Sequence, residues 1–472
     1  ARRHAAARAP RCAAMSAQGA QRLDRLMPPL LAAARASAAP LACLTRLARL
    51  VQAVARRSAY LALLDERPAA RQRLAALFAE SAFLAERVIA QPLLLDDVLD
   101  PRIDRLPLRR ADIAEELKHA LAALDERDPE DELERINELK ASLAFRLGLA
   151  FRDGRADAPA AARRLAALAE AVVGAVLALA ERELAAQHGR LPGEGSGFAV
   201  LGYGSLGGAE LGFASDLDLV FVYDGARAAA ASDGRRPLDG MHWYQRLAQR
   251  VVHWLTVLTR GGRLYEVDTR LRPDGSKGLL VTSLDAFAAY QRERAWTWEH
   301  QALVRARGIA GDAALHTAFE ATRAEILARP RDAAAVRAEV VAMRARWRAE
   351  RDRSDAALLD LKQGVGALLD IEFLLQGLLL LHAATSPALL RHTATPALVA
   401  ACAEVGALDA AQAAALDAAH ADLLARALTC TLDARSRVVP RDAALDALCA
   451  RVTAIARACG FDFAKEGVGS RE

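Results

Sequence analysis

The sequence predicts an α+β protein, mostly helical, in which one domain with a small mixed sheet is flanked by all-helical domains. Three observations carry this. Alanine is abundant and aromatics make up only 5% of the chain, a balance that favours helix over sheet. Val200, Val220, Val222, Val267 and Val281 sit in short runs between turn residues, as strands should. The stretch Gly189–Gly197, GRLPGEGSG, concentrates four glycines and a proline and marks the clearest domain boundary. With 472 residues, the length prior gives about three domains. The expected division is 1–190, 191–310 and 311–472.

Taken in order, residues 20 to 190 read as helical. Leu44, Leu47, Val51 and Val54 recur at helical spacing, and Pro68, Pro92 and Pro101 cut the pattern into short helices and turns. The acidic run Asp125–Glu138 reads as a solvated helix start and face. A second long pattern covers Ala160–Ala186. After the linker come the strand runs and an amphipathic helix, Met241–Arg260, with Leu247, Val251, Trp254 and Leu258 as its apolar stripe. Two further strands are expected at Leu264–Arg272 and Gly278–Ser283. Beyond Asp285 the chain reads as helical, and the Trp296–His300 segment, WTWEH, as core packing.

Composition excludes several classes. The net charge is only +4, the basic residues are nearly all arginine, and no long basic run stands out, so no nucleic-acid footprint is present. The six cysteines show no CxxC spacing, which excludes a zinc or redox motif and fits a reducing cytoplasm. The longest apolar runs, Ala171–Ala180 and Phe373–Leu381, are too short to span a membrane. Residues 1–15, rich in Arg and Ala without acids, lack the apolar segment of a secretory signal and read as a frayed linker end. The chain begins at Ala1 rather than Met and is read as one piece of a longer protein.

The chemistry concentrates in Phe198–Tyr223, FAVLGYGSLGGAELGFASDLDLVFVY. It reads as strand, glycine-rich turn and second strand. Gly202, Gly204 and Gly207 spell GxGxxG, but that fingerprint must open a helix with an acid about 20 residues on. Here the chain returns to strand too soon for such a helix, so a dinucleotide fold is excluded, and no Walker loop is present. Along a strand, residues two apart share a face, which puts Asp216 and Asp218 together. Asp268, with Glu266 and Arg270 as same-face neighbours, completes a three-carboxylate set suited to two magnesium ions. Arg270, Arg272 and Lys277 are candidates to neutralise a triphosphate. The combination points to nucleotidyl transfer.

GYGSLGGAELGFASDLDLVF, with YEVDTRLRPDG, GLLVTS and WTWEHQALVRAR, resembles the bifunctional glutamine synthetase adenylyltransferase/adenylyl-removing enzyme family. LDRLMPPLL, YLALLDERP, QPLLLDDVLDP and DLKQGVGALLDIEF extend the likeness to about residues 22–450. The resemblance implies the fold of the DNA polymerase β-like nucleotidyltransferases. That family carries two homologous catalytic halves. Tyr203, Gly212 and the Trp-Thr-Trp-Glu-His segment look like the C-terminal half, which adds the adenylyl group. Only one core is present here, so the adenylyl-removing half is expected to be missing.

By this likeness Asp216, Asp218 and Asp268 are the catalytic metal ligands. Gly204 and Ser205 hold the nucleotide phosphates, within a glycine turn that includes Gly207 and Gly208. Ser205 stands where the family usually has lysine. Asp370 and Glu372, from the segment Asp360–Phe373, cannot share a helix face, so at least one is expected to be structural. Lys362 is expected to reach the nucleotide. The implied reaction is magnesium-dependent transfer of AMP from ATP to a tyrosine of glutamine synthetase, controlled by glutamine and the PII signalling protein. The alternatives are phosphorolytic removal of AMP and a non-catalytic regulatory module that responds to nucleotide or PII.

Overall fold

Phe198–Gly202 and Leu217–Tyr223 are too apolar to lie at a surface, and they form the centre of the only large sheet among the described residues. The computed structural model describes residues 17–55, 57–99, 110–124 and 128–464. The arginine-rich start, Pro101 and the first three residues of the acidic run lie outside them. The described chain is α+β and mostly helical, as expected. None of its helices is long and apolar enough to cross a membrane.

The chain divides into two compact units. The first comprises Ala1–Pro107, Glu138–Ala156 and Thr429–Arg435. Its described part is helical. Leu47, Val51 and Val54 are buried as their spacing requires, on the helix Pro40–Val54. Pro68 falls at the break between the helices Ser58–Glu66 and Pro68–Glu80, as expected, and opens the second, where a first-turn N–H has no intrahelical acceptor to lose. Ser81 caps the next helix, Ala82–Ala90, by accepting from Leu84 N at 3.2 Å, and its hydroxyl donates to Leu432 O at 2.6 Å.

The second unit comprises Leu108–Asn137, Asp157–Leu428 and Ser436–Glu472. Its long helix α1 (Ala158–His188) starts at an Asp157 cap and stops at Gly189, whose φ is 74°. Gly189–Gly197 runs inside this unit, where Gly197 N donates to Asp312 at 3.1 Å. Strands β1 (Phe198–Gly202) and β2 (Leu217–Tyr223) pair antiparallel. This pairing removes the dinucleotide fold, whose first two strands run parallel. Between them lies a single helical turn, Gly204–Gly207.

Helix α2 (Gly240–Thr256) buries Leu247, Val251 and Trp254. It ends earlier than its sequence pattern suggests. Thr259 and Gly262 form a tight bridge and leave Leu258 73% exposed. The two strands expected next are much reduced. β3 (Val267–Asp268) and β4 (Val281–Ser283) each run parallel to β2, at different points along it, and do not pair with each other.

A further strand, β5 (Arg307–Gly311), lies in a region read as helical. It pairs antiparallel with β1, and Ile309 and Ala310 are buried there. Its sequence, RGIAG, is short and unpatterned, so only the open edge of β1 makes it a strand. A two-stranded ladder, β6 (Leu358–Asp360) with β7 (Val438–Pro440), completes the strands described.

Three helices matter for the site: α3 (Thr297–Val304), α4 (Ala333–Arg351) and α5 (Leu368–His382). α4 and α5 are locked by a buried ionic cluster. Asp370 accepts from Arg344 Nε at 2.6 Å, from Arg348 Nη2 at 2.7 Å and from Gly366 N at 2.6 Å. Arg344 also donates to Gln363 O at 2.6 Å. A buried pair broken on one side leaves an uncompensated charge. Asp370→Ala is therefore expected to lower unfolding free energy by about 3–5 kcal/mol, read as a fall in the urea midpoint at unchanged slope.

Candidate active site

The site grows from the sheet edge. Leu217 N donates to Glu266 O at 2.9 Å, which sets the β2–β3 register so that Asp218 stands directly beside Asp268. Asp216 lies one residue before β2 and is exposed. All three carboxylates line one cavity of about 440 Å³. Gly204 stands over them at φ 55°, and a Cβ there would meet Asp218 Oδ2 at 2.4 Å. Only glycine satisfies both the backbone and the space.

The three carboxylates are not alike. Burial, then the neighbouring Asp216 and Asp268 carboxylates, push Asp218 up to about 7, against the opposite pull of Lys362 and Arg270. Asp268 moves the other way. Its hydrogen bonds from Arg270 hold it below the usual carboxylate range. Arg270 Nε reaches both Asp268 oxygens, at 3.0 and 2.9 Å, and its Nη2 pairs with Oδ2.

The donor set is all carboxylate oxygen, as a hard divalent cation requires. The burial of Asp218 beside two further carboxylates is what such a cation relieves. Asp216 and Asp218 fit that role, whereas Asp268 is engaged by Arg270. Among the described residues no three His, Cys, Asp or Glu side chains form a closed metal-ligand group.

The other expected residues divide. Gly204, Ser205 and Arg270 line the cavity, but Gly207, Gly208, Arg272 and Lys277 do not. Gly207 N and Gly208 N are spent within the turn, on Tyr203 O and Gly204 O, both at 2.9 Å. These glycines serve packing. A Cβ on Gly207 would lie 1.9 Å from Arg305 O, and one on Gly208 would lie 2.1 Å from Arg305 Nη2. Arg272 turns back on its own loop, to Thr269 O at 2.7 Å and Gly278 O at 3.3 Å. Lys277 sits on an exposed single turn, Gly275–Lys277.

The far walls are helical, and the sequence reading passed over most of them. α3 contributes Trp298, Gln301 and, just past its end, Arg305. α4 contributes Met343, Trp347 and Arg351. Leu369, Glu372, Phe373 and Gln376 come from α5, and Lys362 from the turn after β6. Each helix presents one stripe at three- and four-residue spacing, the signal that could have found them. Trp298, read as core, faces this cavity instead. Trp296 is 71% exposed. Asp370 is structural and Glu372 faces the cavity, in line with their expected separation on the helix.

The glycine turn is tied to these walls through Glu210. It is 8% exposed and meets Arg305 Nη2 at 2.7 Å, Thr395 N at 2.6 Å and His420 Nε2 at 3.5 Å. Arg305 in turn lies 2.9 Å from Glu372. Burial alone would push the Glu210 carboxyl up, but the Arg305 charge, with His420 and Thr395, outweighs it and takes the group from 4.5 to about 2. A folded value below the unfolded one means stability present above about pH 4.5 and lost as pH falls toward 2. Glu210→Gln is expected to lower the melting temperature near neutral pH and to flatten its dependence on pH in that acid interval. Calorimetry across the interval reads both.

Comparison with known proteins follows the same residues. The profile of the glutamate-ammonia ligase adenylyltransferase family matches residues 71–322, more than half of the chain. A bifunctional glutamine synthetase adenylyltransferase/adenylyl-removing enzyme of Stenotrophomonas maltophilia is 53% identical over 443 residues, covering 94% of this chain and 47% of the relative. The protein of that name from Xanthomonas campestris pv. campestris is 52% identical over 450 residues, with 94% and 47% covered. That of Pseudomonas aeruginosa is 43% identical over 401 residues, with 81% and 41% covered. The chain spans about half the length of the curated relatives it matches. On this sequence evidence, it belongs to the glutamate-ammonia ligase adenylyltransferase family.

Proposed function

We propose that the second unit transfers AMP from ATP to a tyrosine hydroxyl of glutamine synthetase. The observation that carries this is the β2–β3 register, which sets Asp218 beside Asp268 under Gly204. The tyrosyl oxygen forms a bond to the α-phosphorus, the bond to the β-phosphate oxygen breaks, pyrophosphate leaves, and the tyrosyl proton is released. Asp216 and Asp218 would hold magnesium, with Asp268 as the third carboxylate. When bound, the metal supplies charge neutralisation and orientation of the triphosphate.

The chain's own residues do the rest. Arg270, 74% exposed apart from its pair with Asp268, would exchange that carboxylate for a phosphate oxygen. Lys362 brings a cation to the cavity from the opposite wall and stands in for the lysine absent at Ser205. Gly204 and Ser205, which open the Gly204–Gly207 turn, line the same space, and the first N–H groups of a helical turn have no acceptor within it. Positioning and charge complementarity supply most of the catalysis in this reading.

Control by the PII signalling protein and by glutamine, and a cytoplasmic location, belong to the same reading and rest on the family. The assignment of residues 191–310 as the catalytic domain between two helical ones belongs to it too, and rests on the glycine-rich linker and the strand-like runs that follow it. The relatives' names also include adenylyl removal. Release of ADP from adenylylated synthetase and phosphate would favour that second activity over transfer.

Asp218→Asn separates function from folding. AMP transfer to purified glutamine synthetase, read with radiolabelled ATP, is expected to fall by about 10²–10³-fold or more. The metal-free fold should gain stability above pH 7. Asp218 is raised from 3.8 to about 7, so its ionised form destabilises the fold as pH rises through that interval, and asparagine removes the effect. An Asn variant that labels the synthetase as wild type does would show that these carboxylates are not catalytic.

A further inference from the structure

The cavity is chemically two-sided. Its carboxylates Asp216, Asp218 and Asp268, with Arg270, come from the sheet edge and its loop, whereas Lys362, Arg305, Arg351 and Glu372 bring charge from the other walls. Between those charges, helices α3, α4 and α5 also contribute the aromatic rings of Trp298, Trp347 and Phe373 and the amides of Gln301 and Gln376. Gln301 on α3 is 3% exposed, and its Nε2 donates to Gln376 Oε1 on α5 at 3.2 Å. Its own Oε1 is buried and meets no donor. Buried amide oxygens are nearly always paired, because leaving one bare costs free energy. Gln301 also lines the cavity, so a hydrogen-bond donor on a bound ligand would complete the pairing of this oxygen.

The surroundings narrow the ligand. Trp298 lies on the same helix, one turn before Gln301, and also lines the cavity. The Trp347 and Phe373 rings meet edge to face with centroids 5.5 Å apart. The Arg351 guanidinium sits 5.2 Å from the Trp347 ring centre. Flat apolar surfaces beside one neutral acceptor suit an uncharged heteroaromatic ring that carries an amino group.

We propose that Gln301, oriented by Gln376, accepts a hydrogen bond from the 6-amino group of a purine base and thereby selects adenine nucleotides. This rests on the nucleotidyl-transfer reading above and assigns base selection to a residue pair within it. The base lies among α3, α4 and α5, and the triphosphate extends toward the carboxylates. Guanine carries a carbonyl at the corresponding atom. Two acceptors would then face each other, and that repulsion excludes it.

The test is calorimetric titration of the whole chain, with magnesium, against ATP, GTP and purine riboside triphosphate, which lacks the 6-amino group. Wild type is expected to bind ATP about ten- to a hundredfold more tightly than the deamino analogue, because the analogue leaves the buried amide oxygen unpaired. Gln301→Leu should bring ATP down to the level of the analogue while the analogue's own affinity stays within about twofold. Gln301→Met, close in length, guards against a packing defect. The preference is a ratio on one preparation, so partial unfolding does not imitate its loss.

The inference is overturned if wild type binds ATP and the analogue alike, or if both variants weaken the two nucleotides by the same factor. A wild-type chain that binds none of the three nucleotides removes the nucleotidyl-transfer reading itself, and this inference with it.

Discussion

Everything at the site depends on forcing three carboxylates onto one short sheet edge. Parallel pairing places Asp218 opposite Asp268, and the strand period brings Asp216 to the same side. Like charges directly across a ladder are unfavourable, and burial makes Asp218 worse. The arrangement persists because β2 is anchored beyond Asp218, by pairing of Leu219–Tyr223 with β1 and of Phe221–Tyr223 with β4. Local electrostatics yield to the sheet pairing.

Buried arginines carry the complementary task of fixing the helical walls. Arg305 links the glycine turn to α5 through Glu210 and Glu372. Arg344 and Arg348 clamp Asp370 and so join α4 to α5. Arg323, 1% exposed, donates to Leu303 O at 3.0 Å, Val304 O at 2.7 Å and Leu390 O at 2.7 Å, which closes the open carbonyls at the end of α3. The planar fork of arginine suits such multiple, directional bonding. The result is a cavity whose acidic edge and aromatic wall are held by separate but connected networks.

Much of this was legible from residue order. Glycine and paired aspartates within one strand–turn–strand run identified the acidic edge. Asp268 was found through its own strand-like neighbours. Other features were not legible. β3 keeps only two residues of an expected nine-residue strand because the chain turns at Thr269 to bind Arg272. β5 has no strand signature of its own. Arg272 and Lys277 look like phosphate ligands in sequence and are directed elsewhere by that loop. Trp298 and Gln301 resemble any other residues of an apolar helix.

The sequence by itself determined the helical bulk, the position of the sheet and the acidic pair, because these follow from periodicity and from chemistry within a few residues. Only the tertiary structure decided which side chains share the cavity. Whether Gly207 meets a phosphate or Arg305, whether Trp298 lines a core or a cavity, and which of Asp370 and Glu372 is the structural one all depend on neighbours far along the chain. The three-carboxylate edge is therefore half local and half not. Asp216 and Asp218 are neighbours by strand period, and Asp268 joins them only because β3 pairs in that one register.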